Sequence, residues 1–103
     1  TYTGNGDATT GPTITTGFKP SFIIAGTAKE GQNTYPFICT NRHQSGDTGL
    51  NITEMNWTGK WSTNSASVDF LSTGFRVNSQ YSTYNSNGDS YWYMAWGDPD
   101  ILG

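Results

Sequence analysis

The sequence predicts an all-β fold, an antiparallel β-sandwich of jelly-roll type with little or no helix, and three observations carry that expectation. Gly, Ser, Thr and Asn make up nearly half of the chain, and these residues favour turns and extended structure over helix. Short apolar or alternating runs recur along its length, each bounded by Gly, Pro, Asn or Asp. No stretch holds a 3.6-residue period long enough to form a helix.

The expected strands are residues 13–16, 21–27, 34–40, 50–53, 56–62, 67–71, 74–79 and 89–96. Turn clusters separate them, among them Gly4-Asn5-Gly6-Asp7, Ser45-Gly46-Asp47 and Ser86-Asn87-Gly88-Asp89, where Gly and Asn tolerate positive φ. Eight short strands at this spacing fit a sandwich or barrel better than βαβ units. With 103 residues there is room for one hydrophobic core, so residues 1–103 are expected to form a single β-sandwich domain. The start at Thr1 fits a domain cut from a longer protein and equally fits removal of an initiator residue.

Four Trp, six Tyr and five Phe compensate for the scarcity of aliphatic residues, because each ring buries a large area. Alternation assigns their faces. In 74–79, Phe75 and Val77 point one way while Arg76 and Asn78 point the other, as in a half-buried strand. In 21–27, Phe22 and Ile24 alternate with Ile23 and Ala25, so both faces are apolar and the strand is expected to be central. Phe22, Ile24, Phe75, Val77 and Ala95 or its neighbours are the expected core. The run Tyr91-Trp92-Tyr93-Met94-Ala95-Trp96 is bulky on both faces. One face can fill the core, and the other needs a loop, a neighbouring subunit or a ligand to cover it. Two strings recur, Asn5-Gly6-Asp7 with Asn87-Gly88-Asp89 and Thr16-Gly17-Phe18-Lys19 with Thr73-Gly74-Phe75-Arg76. Their order is reversed between the halves, so they are repeated turn chemistry and not a tandem duplication.

Composition also narrows function. A net charge of −3 with five scattered cations argues against gripping nucleic acid or an anionic membrane. No apolar run approaches the length of a membrane span, and no signal peptide is recognisable. Cys39 is the single cysteine and lies in Phe37-Ile38-Cys39, which fits a small buried hydrophobe better than a disulfide or zinc ligand.

Catalytic and metal chemistry find little support. His43, Ser45 and Asp47 crowd one Gly-containing loop, whereas a triad needs its members brought together by the fold. Glu30 and Glu54 stand in no recognisable catalytic setting. Asp47, Asp98 and Asp100 lack the dense acidic spacing of a calcium loop. The Gly-rich stretches lack the Lys-Ser/Thr ending of a phosphate loop. A non-enzymatic protein without metal or cofactor is expected.

Recognition chemistry is better represented. Trp57 and Trp61 sit four residues apart around a polar segment, and Tyr81 and Tyr84 lie in a Ser/Thr/Asn loop. Rings beside Asn offer a flat apolar face with planar hydrogen-bonding groups. Trp57, Trp61, Tyr81, Tyr84, Asn56, Asn85 and Asn87 are therefore the candidate ligand contacts. The competing reading is that these rings cap the open ends of a small sandwich. Asn51-Ile52-Thr53 and Asn56-Trp57-Thr58 match the glycosylation pattern, as chance allows in an Asn/Thr-rich chain.

The opening Tyr2-Thr3-Gly4-Asn5-Gly6, the segment from Thr13 through Gly17-Phe18-Lys19-Pro20 into Ser21–Ile24, the stretch Val68–Val77 and the closing Tyr93-Met94-Ala95-Trp96 together resemble an uncharacterised module of bacteriophage tail and tail-fibre proteins. The resemblance covers most of the chain in order and spacing. Residues 29–65 depart from it, lacking the module's Lys-Asn-Arg and Phe-Asp-x-x-Arg-Gly pieces. It implies a lectin-like β-sandwich on a virion surface and carries over no catalytic residue. The expected function is a tail-fibre or tail-tip domain that attaches to a host cell-surface glycan or protein. The alternatives are a capsid decoration (cement) protein that packs against other virion proteins, and a carbohydrate-binding module of a secreted enzyme. The second bulky face of 91–96, with the threefold habit of fibres, leads to an expected homotrimer.

Overall fold

A computed structural model describes residues 1–27, 35–42, 44, 46–54, 67–81 and 83–97. Within them the chain forms eight strands: β1 (Tyr2–Thr3), β2 (Thr13–Thr15), β3 (Pro20–Thr27), β4 (Phe37–Thr40), β5 (Thr53–Glu54), β6 (Ser67–Leu71), β7 (Gly74–Asn78) and β8 (Ser90–Gly97). No helix occurs among the described residues. The strands make two antiparallel sheets, one ordered β1-β8-β3-β4-β5 and the other β2-β7-β6. The fold is all-β and sandwich-like, as the sequence predicts.

The longest ladder joins β3 to β8, running from Pro20↔Gly97 to Thr27↔Tyr91 with an irregularity between Pro20 and Phe22. β3 is thus central, with β4 on its other side. In the second sheet, β6 and β7 form a hairpin through Ser72 and Thr73. Gly74 is fixed by the close passage of β2, since a Cβ there would lie 1.9 Å from the Ile14 carbonyl oxygen.

Inward side chains interleave between the sheets. Ile23, Ala25, Phe37, Cys39, Tyr2 and Tyr91 meet Ile14, Val68, Phe70, Phe75 and Val77, and the loop residues Leu50, Ile52 and Tyr84 close the cluster. Aromatic contacts pack the interior within and between the layers. Tyr2 stacks on Tyr91 with centroids 5.0 Å apart, and Phe75 meets Tyr93 edge-on at 5.2 Å. Phe37 meets Tyr84 edge-on at 5.0 Å. Such pairs stabilise beyond their buried area.

Phe22 and Ile24 are corrected by this arrangement. They are half-buried on the outer face of the five-stranded sheet, and the core side of β3 carries Ile23 and Ala25. Both faces of a central strand can be apolar, so alternation alone left the choice open, and the β8 register decides it. Phe75 and Val77 are fully buried, and Ala95 is partly buried against the core. Tyr2–Thr3 is a strand where the sequence reading placed none, and Leu50 makes an isolated bridge to Val68 with the strand itself at Thr53–Glu54. The expected strand at 56–62 lies outside the described residues.

The Cys39 thiol is buried and donates to the Asn51 carbonyl at 3.4 Å. Burial pushes it from 9.0 up to about 12, and burial likewise raises the Tyr2 and Tyr91 phenols.

Two outcomes are expected. Phe75→Ala, emptying a fully buried site, should cost on the order of 3–5 kcal/mol in denaturant unfolding. A change within error would mean that Phe75 is not a core residue. Cys39, Tyr2 and Tyr91 ionise more readily in the unfolded chain than in the folded one, so the unfolded state binds fewer protons at alkaline pH. The Cys39 contribution to stability is fully present below 9.0 and is lost as pH rises through about 12, and the two phenols begin to act in the same direction above 10.0. A urea midpoint that holds constant across that window would contradict these burial assignments.

Candidate functional site

The two sheets present opposite chemistry to solvent. The outer face of β2-β7-β6 is polar. Arg76 donates from Nε to the Thr13 hydroxyl at 3.4 Å, lies 3.8 Å from the Asp69 carboxylate, and shares Asp69 with the Asn78 amide at 3.1 Å. The outer face of the five-stranded sheet instead carries Trp92, Met94 and Trp96 from β8, Phe22 and Ile24 from β3, and Ile38 from β4, placed side by side by the ladders. Met94 is 52% and Trp96 50% exposed. Neither β3 nor β8 bears a charged residue.

Local structure builds this surface. The Phe22 and Trp96 rings meet edge-on at 5.4 Å. Gly26 lies opposite Trp92 in the ladder, and a Cβ there would come within 2.8 Å of the indole. The missing side chain lets the Trp92 ring lie against the sheet.

Along the edge of the same sheet runs a shallow groove of about 530 Å³, lined by Thr1, Thr15, Thr16, Phe18, Tyr93, Met94, Ala95 and Trp96. Phe18 is held at its rim by a tight turn. The Thr16 hydroxyl donates to the Phe18 carbonyl at 2.7 Å, Gly17 takes φ 88°, and the Thr16 backbone N–H donates to the Thr73 carbonyl at 2.9 Å. The groove exists because β1 covers only Ser90 and Tyr91 of β8.

The residues singled out in the sequence are dispersed. Trp57, Trp61 and Asn56 lie outside the described residues. Tyr81 and Asn87 are exposed. Tyr84 and Asn85 are corrected: they are 1% and 0% exposed and cannot meet a ligand. The Tyr84 hydroxyl donates to Glu54, and its backbone carbonyl accepts from the Tyr2 hydroxyl at 2.9 Å. Asn85 pins the N-terminal loop to the 79–88 segment. Its Oδ1 accepts from the Asn5 backbone N–H at 2.9 Å, and its Nδ2 donates to the Ser79 carbonyl at 2.7 Å and to Asn5 Oδ1 at 3.0 Å. A loop rich in Asn and Tyr satisfies buried backbone here and does not reach outward.

His43 and Ser45 lie outside the described residues. Asp47 serves the fold: its carboxylate pairs with Lys19 and accepts from the Asn41 amide at 2.8 Å, which holds it below the usual carboxylate range. Among the described residues no group of three His, Cys, Asp or Glu side chains could hold a metal ion. Sequence reasoning passed over Trp92, Met94, Trp96 and Phe18 as contacts, although the bulk on both sides of 91–96 was the signal for three of them.

Fold and surface together define an antiparallel β-sandwich module with one polar and one aromatic outer face. Residues 1–99 match the family described as a domain of unknown function, DUF7483, and the chain belongs to that family. No curated protein and no solved structure matches it.

Asn85→Ala should destabilise the domain by about 2–3 kcal/mol, since it strands buried backbone groups without partners. An unchanged denaturation midpoint would show that Asn85 is not the pin described.

Proposed function

We propose that the domain is a surface module of a bacteriophage virion, at a tail fibre or tail tip, that attaches to a host-cell surface glycan through the outer face of its five-stranded sheet. The observation that carries this reading is the uncharged row of Trp92, Met94 and Trp96 beside Phe22, in which three of the four side chains are aromatic. Flat rings on a rigid sheet offer stacking surfaces to the apolar faces of sugars at little conformational cost. The resemblance of the Tyr2–Gly6, Thr13–Ile24 and Tyr93–Trp96 segments to phage tail modules supports the setting.

Ile24, Ile38 and Met94 on the same face support a second reading. Aliphatic side chains suit a protein partner better than a sugar, so the face would also serve a decoration protein docked on the coat.

The test is adsorption of the purified domain to host cells and to a glycan panel, with a parallel measurement on intact particles. Binding should change little with salt, because stacking and not charge drives it. Trp96→Ala combined with Met94→Ala should weaken binding about tenfold or more, corresponding to at least ~1.4 kcal/mol, while circular dichroism stays unchanged. Attachment to coat but not to cells or glycans would assign the domain to decoration. Glycan binding untouched by the double variant would move the site off this face.

A further inference from the structure

We propose that the free edge of β8 pairs with β8 of a second copy of this chain, joining two five-stranded sheets into one. This goes beyond the proposed function and does not depend on it.

The hydrogen-bonding pattern identifies the free groups. The Asn41 backbone N–H donates to the Ser21 carbonyl, so Ser21, Ile23 and Ala25 direct their backbone groups toward β4, and Phe22, Ile24 and Gly26 direct theirs toward β8. Trp96, Met94 and Trp92 then face β3. Tyr93 and Ala95 must point their N–H and C=O groups the other way, by the alternation of an antiparallel ladder. The Gly4 N–H donation to the Asp89 carbonyl, with Tyr2 opposite Tyr91, gives the same phase from the β1 side. β1 stops at Tyr2, and no strand among the described residues pairs with Tyr93–Gly97 on that edge. The groove along it is the direct continuation of the β1–β8 ladder.

Such an edge is normally guarded by a charge, a proline, a bulge or a covering loop. The residues of β8, Ser-Tyr-Trp-Tyr-Met-Ala-Trp-Gly, supply neither charge nor proline. The occupant that fits is the same strand from a second copy. An antiparallel pair centred on Ala95 sets Tyr93 opposite Gly97, where the Phe18 ring packs so closely that a Cβ would lie 3.1 Å from it, so Phe18 borders the seam at each end. The same pairing sets Met94 opposite Trp96 on the outer face, where sulfur and indole make a favourable contact. Although each chain carries −3 overall, no like charges meet along this seam. A twofold pair is closed, so assembly stops at two copies and differs from the threefold arrangement that the fibre resemblance implies.

Sedimentation of the 103-residue chain should give a dimer that dissociates on dilution. The amide hydrogens of Tyr93 and Ala95 should exchange slowly when concentrated and at least tenfold faster when diluted. Ala95→Pro removes the outward N–H without touching the β3 ladder and should give a monomer. Should that variant fail to fold, Met94→Lys with Trp96→Lys changes only exposed side chains and sets lysines against each other across the twofold. It should weaken association at least tenfold. A wild-type monomer at high concentration, a trimer, or a dimer that survives the lysine pair would each overturn the proposal. So would a monomer whose Tyr93 and Ala95 amides are protected, since the edge would then belong to another segment of the same chain.

Discussion

The pairing of β3 with β8 is the constraint on which the rest of the molecule depends. Seven residue pairs hold these strands together at the centre of the larger sheet, and both strands are apolar on both faces. A slip of one residue would exchange their inner and outer sets. The observed register sends Ile23, Ala25, Tyr91 and Tyr93 toward the second sheet. It leaves Phe22, Ile24, Trp92, Met94 and Trp96 on the outside. Core composition and the aromatic outer surface are therefore two results of one choice. Gly26 supports it locally, since only there can the Trp92 ring approach the backbone of β3.

With so few aliphatic side chains, the interior relies on rings and on polar pins at its margins. Tyr2 shows both roles: its ring stacks on Tyr91 and its hydroxyl donates to the Tyr84 carbonyl. Asn85 and Asn78 do comparable work between loops, the latter accepting from the Gly11 N–H at 2.9 Å and donating to Asp69. Every buried side-chain nitrogen and oxygen among the described residues has a partner, as expected where an unsatisfied group would cost more than a typical hydrogen bond contributes. The Asn- and Ser-rich loops are thus structural mortar as much as surface.

Strand positions were legible in the sequence to within a few residues for β2, β3, β6, β7 and β8, because Gly, Asn and Pro punctuate apolar runs that are too short for helices. The inward side of β7 was legible too, since Arg76 and Asn78 mark the outer one. On β3 the polar residues Ser21 and Thr27 share the face of Ile23 and Ala25, which is the core side, so polarity pointed the wrong way and the choice between Phe22 and Ile23 rested on pairing with β8, which a local pattern does not contain. Tyr84 and Asn85 misled for a related reason. In sequence they look like exposed recognition residues, yet their partners, Glu54 and Asn5, are distant in the chain. The aromatic face was visible only as a surplus: bulk on both sides of residues 91–96 required something outside the core, and the geometry turns that surplus into a surface.

The contrast between the outer faces, one laced by Arg76, Asp69 and Asn78 and the other uncharged and aromatic, follows from the same register. Nuclear Overhauser contacts between backbone Hα atoms of β3 and β8 test it most directly. Non-hydrogen-bonded antiparallel pairs bring Cα atoms to about 4.5 Å, so strong Hα–Hα contacts are predicted for Ile23 with Ala95 and for Ala25 with Tyr93. Strong contacts for Ile23 with Met94 and Ala25 with Trp92 instead would mean a register shifted by one residue. Trp96, Met94 and Trp92 would then lie opposite Ser21, Ile23 and Ala25 on the core side, and the account would be contradicted.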